Sequence, residues 1–547
     1  MKKHLLLIVL IALSCLPLFD LFMDGIPATH DGVDHVARIA NFYLSLSEGN
    51  SIPRWAGNLN WGYGHPILMF LYPLPSYVAS IFHFFGLSFV NSTKIVFGVG
   101  FVASSVAMYL WLSSFIDRKA AFLGALAYAL APYRFIDLYV RGAIGEHVAF
   151  IFPPLVCFSL FALASSKKRW PIFLGSLSLC GLLLSHNAIS LMFLPIFVLY
   201  FFYLYFTEQK TTSFVVQVIC VLVCGFLLSA FFWVPAFFEG KYTLRDIVTK
   251  NEYLNRFETL DRFLYGRWSY GGTGQFSVQI GVFQWLGLVL SPLVFLKYLK
   301  VKSNLWLLLA GSFVLFFVTL FLMTKTSLPM WEIVTILQKF QFPWRLLSVS
   351  VFLCSIMIAL IANAFKDRLS LGIIAVFVVL LLFFNMNYWH AKGFIRHPEA
   401  FYTGIYNGTT DTGESAPIWS VRFMEHRARN QSEVIDGAAQ ITRLARSTTN
   451  HEYLIVANAP SRIVENTLYF PGWRVSVNGK KVPIEFQDPR FRGLITYFVP
   501  KGVNAVTVKF SETKLRLISD LISLVVFVLL VGYAVYLFSQ RLWRSSQ

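Results

Sequence analysis

Pro66-Ile67-Leu68-Met69-Phe70-Leu71-Tyr72-Pro73-Leu74-Pro75 opens a stretch, 66–90, that is apolar enough to suggest a membrane span yet carries three prolines and His83. How it is read decides the topology of everything downstream. Apolar runs near the length needed to cross about 30 Å of hydrocarbon occur at 5–23, 92–116, 119–133, 147–165, 171–187, 189–206, 213–236, 277–296, 304–324, 343–364, 370–388 and 516–539. If 66–90 lies at the interface or re-enters, the Lys/Arg clusters at 2–3, 118–119, 167–169, 210, 297–302, 366–368 and 541–544 fall on one side. The short loops on the other side then hold Arg134, Arg141, Lys325 and Lys339. If 66–90 spans, every later loop flips and the positive-inside rule is violated throughout. The sequence therefore predicts a polytopic α-helical bundle of about twelve spans, multi-pass in the cytoplasmic membrane, with both termini cytoplasmic.

Composition agrees with that class. The chain is 56% hydrophobic and 17% aromatic, with 55 Phe, and only 14% is charged. Soluble domains sit near 25% charged. The net charge of +18 follows from basic cytoplasmic loops, so no nucleic-acid partner is expected. All six cysteines lie in apolar stretches, which argues against a disulfide framework. Ala12-Leu13-Ser14-Cys15 faintly resembles a lipoprotein site, but the apolar run continues to Met23, as in an uncleaved signal anchor.

Three parts follow from this layout. Residues 1–389 form a transmembrane module with outer loops 24–91 and 238–276. Residues 390–514 form an extracytoplasmic domain, and 515–547 a final helix and short tail. Strands are expected at 453–457, 462–469, 473–477, 482–486, 494–498 and 505–510. Asn478-Gly479 is a favoured two-residue hairpin turn. Residues 390–450 are polar and carry no clear period. The glycine-rich 270–274 segment lacks the Gly-Lys-Ser/Thr ending of a phosphate loop.

The candidate chemistry faces outward. His30-Asp31-Gly32-Val33-Asp34-His35-Val36-Ala37-Arg38 places two carboxylates, imidazoles and a guanidinium directly after the first span. If helical, Asp31, Asp34, His35 and Arg38 share one face. A carboxylate there can take a proton from an attacking hydroxyl, and a guanidinium can hold a phosphate; the plainer reading is a solvated loop with Asp31 capping a helix. Arg141-Gly142-Ala143-Ile144-Gly145-Glu146-His147 follows on the next outer loop. Glu146 there could ligate a metal, support a base or simply pair with Arg141. His186-Asn187 interrupts an apolar stretch, either facing a cavity or bonding between helices. Arg345, after Phe340-Gln341-Phe342-Pro343-Trp344, could meet a lipid phosphate or snorkel in an aromatic belt.

These motifs, with Ile52-Pro53-Arg54-Trp55, Gly62-Tyr63-Gly64-His65-Pro66 and Phe70–Pro75, resemble membrane proteins labelled 6-pyruvoyl-tetrahydropterin synthase-related. Nothing in the chain resembles the soluble pterin enzyme and its zinc-binding histidines. The resemblance places the chain with the GT-C glycosyltransferases, and Pro471–Lys480 is similar to the β-domain of YfhO-type membrane proteins. It implies a GT-C-like bundle with a small extracytoplasmic β-rich domain before the last helix. It also implies an acidic residue in the first outer loop and a polyprenyl-phosphate sugar donor. Asp31 and His35 match the spacing of the oligosaccharyltransferase branch; Arg38 lies one residue later than that branch's arginine. Asp34 is a rival for the catalytic position. Glu146 falls where some members place a second acidic residue, so a divalent metal stays open; no other cofactor is implied.

The expected activity is inverting transfer of a sugar from a polyprenyl-phosphate donor to a glycan or lipid acceptor at the outer membrane face. Asp31, Asp34 and His35 are the catalytic candidates. Arg38, Arg141, Glu146, His186, Asn187 and Arg345 are the substrate-binding candidates. The alternative is a non-catalytic protein of lipid-linked glycan binding, transport or envelope assembly. A transporter would more often show internal repeats and midplane charges.

Overall fold

The computed structural model describes residues 4–166, 169–271 and 276–545. Among the described residues nine helices are long and apolar enough to cross a membrane. Two bent pairs, Arg118–Ala129 with Pro132–Arg141 and Thr212–Leu228 with Ala230–Phe238, turn by 45° and 67°. With the shorter apolar helix Trp170–Ser185, they match the predicted apolar runs one for one. Residues 66–90 fold instead as Ile67–Phe70 and Leu74–Phe84, broken at Pro73. The longer piece has 11 residues, about 16 Å of helix, well short of a bilayer.

The bundle is built around Pro343–Ala364, 89% buried, which packs on Arg118–Ala129, Val282–Lys300 and Leu305–Leu322. At its crossing with Arg118–Ala129 the approach is close: a Cβ on Gly124 would meet Ala359 at 2.6 Å. Without a hydrophobic drive between helices in lipid, small residues at such crossings let backbones pack closely. Leu371–Tyr388 and Lys514–Leu537, each 17% buried, lie on the periphery.

The β-rich part before the last helix contains two antiparallel sheets sharing one core. The strands are β3 (Ser432–Asp436), β4 (Ala439–Arg446), β5 (Asn450–Ala457), β6 (Ser461–Leu468), β7 (Trp473–Val477), β8 (Lys480–Val482), β9 (Leu494–Val499) and β10 (Gly502–Phe510), after the short pair β1 (Ile26–Pro27) and β2 (Phe394–Ile395). Their order is β4-β5-β10-β7-β8 and β3-β6-β9. Asn478 and Gly479, with φ of 51° and 77°, make the expected tight turn between β7 and β8. The strand expected at 482–486 is instead Lys480–Val482. The turn sets Val477 opposite Lys480, and Pro483 has no N–H to extend the ladder. β3 and β4 lie in the segment whose sequence carried no clear period.

This unit does not hang free. Trp55, in the loop after the first apolar helix, packs edge-on against Trp473 at 5.3 Å and beside Phe510. Arg54 pairs with Glu512 at 2.8 Å and Asp520 at 2.6 Å, and buried Arg516 pairs with Glu239 at 2.6 Å. The first loop, the sandwich and the root of the last helix therefore form one connected structure. All six cysteines are free thiols.

Candidate functional site

Asp31 caps the helix Gly32–Ser47, though its carboxylate makes no capping bond. Among the described residues that carboxylate has no hydrogen-bond or ion-pair partner, and it is exposed. Its backbone ties it down: the His30 N–H donates to the Val140 carbonyl at 3.0 Å and the Asp31 N–H to the Arg141 carbonyl at 2.9 Å. That junction depends on Gly142, at φ +68°, where a Cβ would lie 2.3 Å from Thr29 Oγ1. The His30–Arg38 and Arg141–His147 motifs are thus held backbone to backbone.

Arg134 and Arg141 are not loop residues, as charge counting placed them. Pro132 starts a helical segment bent off Arg118–Ala129. From Ile136 to Arg141 that segment winds with the wider π geometry, which recurs at functional sites. Asp137, Arg141 and Glu146 are carried inward. Arg141 donates to Asp137 at 2.6 Å and to Glu146 at 2.8 Å. Glu146 also accepts from the Tyr133 hydroxyl and lies 3.5 Å from Arg345. So Glu146 does pair with Arg141, and with Arg345 as well. Phe342 and Trp344 stack at 5.1 Å; Trp344 carries the Arg141 guanidinium and Phe342 that of Arg345, each at 4.8 Å.

Arg141 pairs with both Asp137 and Glu146, and Arg345 with Glu146, whereas Arg38 and Arg134 make no direct ion pair among the described residues. Arg134 is fully buried, donates to Ser104 at 2.8 Å and lies 4.0 Å over Phe150. Buried guanidinium without an acid is costly unless a counter-charge arrives.

Tyr72 and His186 complete the wall, their rings stacked at 5.2 Å. A Cβ on Gly145 would lie 2.1 Å from Tyr72, so glycine lets this helix reach the tyrosine. Burial pushes the Tyr72 phenol up, with the charges of Arg38, Asp31, Arg345 and Arg141 all acting on it. His186 Nδ1 caps its helix by accepting from the Ile189 N–H at 3.3 Å. Asn187 is exposed and donates to the Phe70 carbonyl at 3.4 Å. Its contact is to the short Ile67–Phe70 helix, not to the arginines.

Asp34 and Asp31 separate in role. Asp34 accepts from the Tyr406 hydroxyl at 2.7 Å. Burial raises its pKa, opposed by that bond and by Arg38. His35 is buried; Arg38 donates to its Nδ1 at 3.0 Å, and a guanidinium can only donate, so the imidazole carries its proton on Nε2. Burial and the charges of Arg38 and Arg141 hold His35 well below its usual range.

Residues 405–415 were silent in the sequence and lie across the site as a strap. The Asn60 and Trp61 N–H groups donate to the Gly408 and Tyr406 carbonyls at 2.6 and 3.0 Å. Arg38 donates to Thr410 Oγ1 at 3.2 Å and to the Thr410 carbonyl. Asp411 lies 3.5 Å from His65, and Glu414 accepts from Gln341 at 3.4 Å. Only tertiary contacts reveal this; the one sequence hint is the density of Gly, Thr, Asn and Asp over 404–413. Among the described residues no three His, Cys, Asp or Glu side chains gather as metal ligands. Residues 272–274 of the glycine-rich run lie outside the described residues.

The family model for the 6-pyruvoyl-tetrahydropterin synthase related domain, a membrane protein domain, matches residues 68–391. The chain belongs to this family. The matched part of the PTPS-related chain runs from the 66–90 segment through Leu371–Tyr388, leaving out the first and last apolar helices, and includes Tyr72, Arg141, Glu146, His186 and Arg345. A protein of Lactococcus lactis subsp. cremoris (strain MG1363), described only as uncharacterized, is 24% identical over 241 residues, covering 42% of this chain and 38% of that one. Among solved structures, arabinofuranosyltransferase AftD from Mycobacteria aligns over 71% of this chain and 26% of its own, at 13% identity and TM-score 0.45. The Archaeoglobus fulgidus oligosaccharyltransferase aligns over 77% of this chain and 62% of its own, at 12% identity and TM-score 0.41. The PTPS-related chain thus spans well under two thirds of the Lactococcus protein and of the arabinofuranosyltransferase.

Proposed function

We propose that the protein is an inverting glycosyltransferase of GT-C type, acting at the outer face of the cytoplasmic membrane. The donor is a sugar on a polyprenyl phosphate and the acceptor an envelope glycan or lipid. One observation carries the reading: an exposed carboxylate with no partner among the described residues, Asp31, is fixed by a 2.9 Å backbone bond to Arg141, at the edge of a buried cluster where Arg141 and Arg345 converge on Glu146. A base and an anion holder are what this displacement needs.

In the proposed step Asp31 takes the proton of the acceptor hydroxyl. The freed oxygen attacks the anomeric carbon from the face opposite the phosphate, and the bond from that carbon to the phosphate oxygen breaks. The electron pair leaves on the polyprenyl phosphate. Arg141 and Arg345 stabilise its growing charge, with Arg38 adding to the local field. Neutral His35, buried beside Arg38, holds that guanidinium in place.

The test is transfer in reconstituted membranes supplied with a polyprenyl-phosphate sugar. Losing a general base costs about 100- to 10,000-fold in rate. Asp31→Asn is expected to abolish transfer while the protein stays folded and binds donor, and Asp34→Asn to cost less, since Asp34 is engaged by Tyr406. If Asp34→Asn alone abolishes transfer, the base is Asp34. If donor binds and neither change matters, a non-catalytic lipid-linked glycan role replaces this reading.

A further inference from the structure

A surface groove with about 330 Å³ of free space lies at the start of the strap, lined by Ala400, Phe401, Gly404, Ile405, Tyr406, Asn407 and Arg427. That volume is at the lower end for ligand sites, roughly 300–1,000 Å³. Its floor is aromatic. Phe401 and Tyr406 meet edge to face at 5.6 Å, and Phe401 is 37% exposed although His397 stacks on it at 3.9 Å. Its rim is planar and polar. Arg427 donates through Nε to Asn407 Oδ1 at 3.0 Å and through Nη2 to the Ile405 carbonyl at 2.8 Å. Two of its three nitrogens are thereby spent on bracing the wall, which leaves a poor fork for phosphate or carboxylate.

An apolar ring face beside planar amide and guanidinium donors suits a sugar, whose axial C–H face is apolar and whose rim is hydroxyl. The groove is also joined to the proposed base. Tyr406 lines it and bonds Asp34 at 2.7 Å, and Asp34 lies one helical turn from Asp31 on the same helix.

We propose that this groove binds a sugar unit of the acceptor glycan, presenting its chain toward Asp31. The acceptor role rests on the transferase reading; the sugar binding does not.

The experiment uses the full-length protein in nanodiscs on an array of neutral and acidic glycans, with inorganic phosphate as a separate competitor. The expected result is binding of at least one glycan. It should weaken about tenfold or more in Phe401→Ala, as for loss of a packed aromatic contact, and fall equally in Asn407→Trp, which fills the groove from an exposed position. Asp31→Asn should bind glycan as the unaltered protein does. Thermal unfolding shows whether either groove variant is misfolded, and the exposed Asn407→Trp decides the matter if Phe401→Ala is. Absence of glycan binding, binding unchanged in both groove variants, or displacement by millimolar phosphate would overturn the proposal. Glycan bound in the groove without Asp31-dependent transfer would sink the transferase reading and leave the groove standing. Asp31-dependent transfer indifferent to both groove variants would do the reverse.

Discussion

The guanidinium of Arg38 donates to both the hydroxyl and the carbonyl of Thr410, a residue 372 positions away in the chain. Thr410 is β-branched and sits at φ +63°, a conformation that costs on the order of 1–3 kcal/mol. The contact with Arg38 offsets that strain and seats the strap over the site. Arg38→Lys keeps the charge but loses the planar fork. Hydrogen exchange at the amides of 405–415 should quicken about tenfold or more, given roughly 1.5–3 kcal/mol for a hydrogen bond to a charged group. Unchanged exchange would mean that the backbone bonds to Asn60 and Trp61 hold the strap alone.

Asp411 makes the strap acid-sensitive. Burial by itself raises its pKa, but His65 beside it and its hydrogen bonds bring it well below the usual carboxylate range. A depressed carboxylate stabilises the fold above its unfolded pKa, about 3.9, and that contribution is lost as pH falls through the folded value. Protection of the strap should therefore decline progressively below about pH 5. Asp411→Asn should exchange faster than the unaltered protein at pH 7, and the two should converge as the pH is lowered. A constant difference down to pH 3 would show that ionisation of Asp411 plays no part.

Gly145→Ala should disrupt the site without touching a charge. The added methyl would lie 2.1 Å from Tyr72 and 2.5 Å from the Ser185 carbonyl, and the latter is backbone that cannot swing away. Overpacking of this kind costs about 1–3 kcal/mol. The melting temperature in detergent should fall, whereas Gly311→Ala, with nothing within 4 Å, should leave it unchanged or slightly raised. Equal melting of the two variants would count against this packing.

The topology has its own test. Outside-only thiol reagents should label a cysteine placed at Asn407 and spare one placed at Ser545. Reporters fused after Ala56 and after Ser88 should report the same side, because neither Ile67–Phe70 nor Leu74–Phe84 can cross the bilayer. Opposite sides would refute the re-entrant reading.

Sequence alone determined that this is a helical membrane protein, where its apolar segments run, and that a β-rich unit precedes the last helix. Those features are local: apolar length, charge asymmetry and a two-residue Asn-Gly turn need no partner to be read. It also singled out Asp31, Arg141, Glu146, His186 and Arg345, since ionisable and amide groups at the edge of apolar runs are rare.

Tertiary structure decided the rest. It turned Arg134 and Arg141 inward, because Pro132 bends the helix and the π-wound turn after it carries them into the bundle. It separated Asp31, left exposed, from Asp34, engaged by Tyr406. It drew 405–415 across the site through contacts such as Arg38 with Thr410 and His65 with Asp411, and these join residues hundreds of positions apart. No periodicity records such pairings, because they are set by where the packed helices leave a buried donor in need of an acceptor.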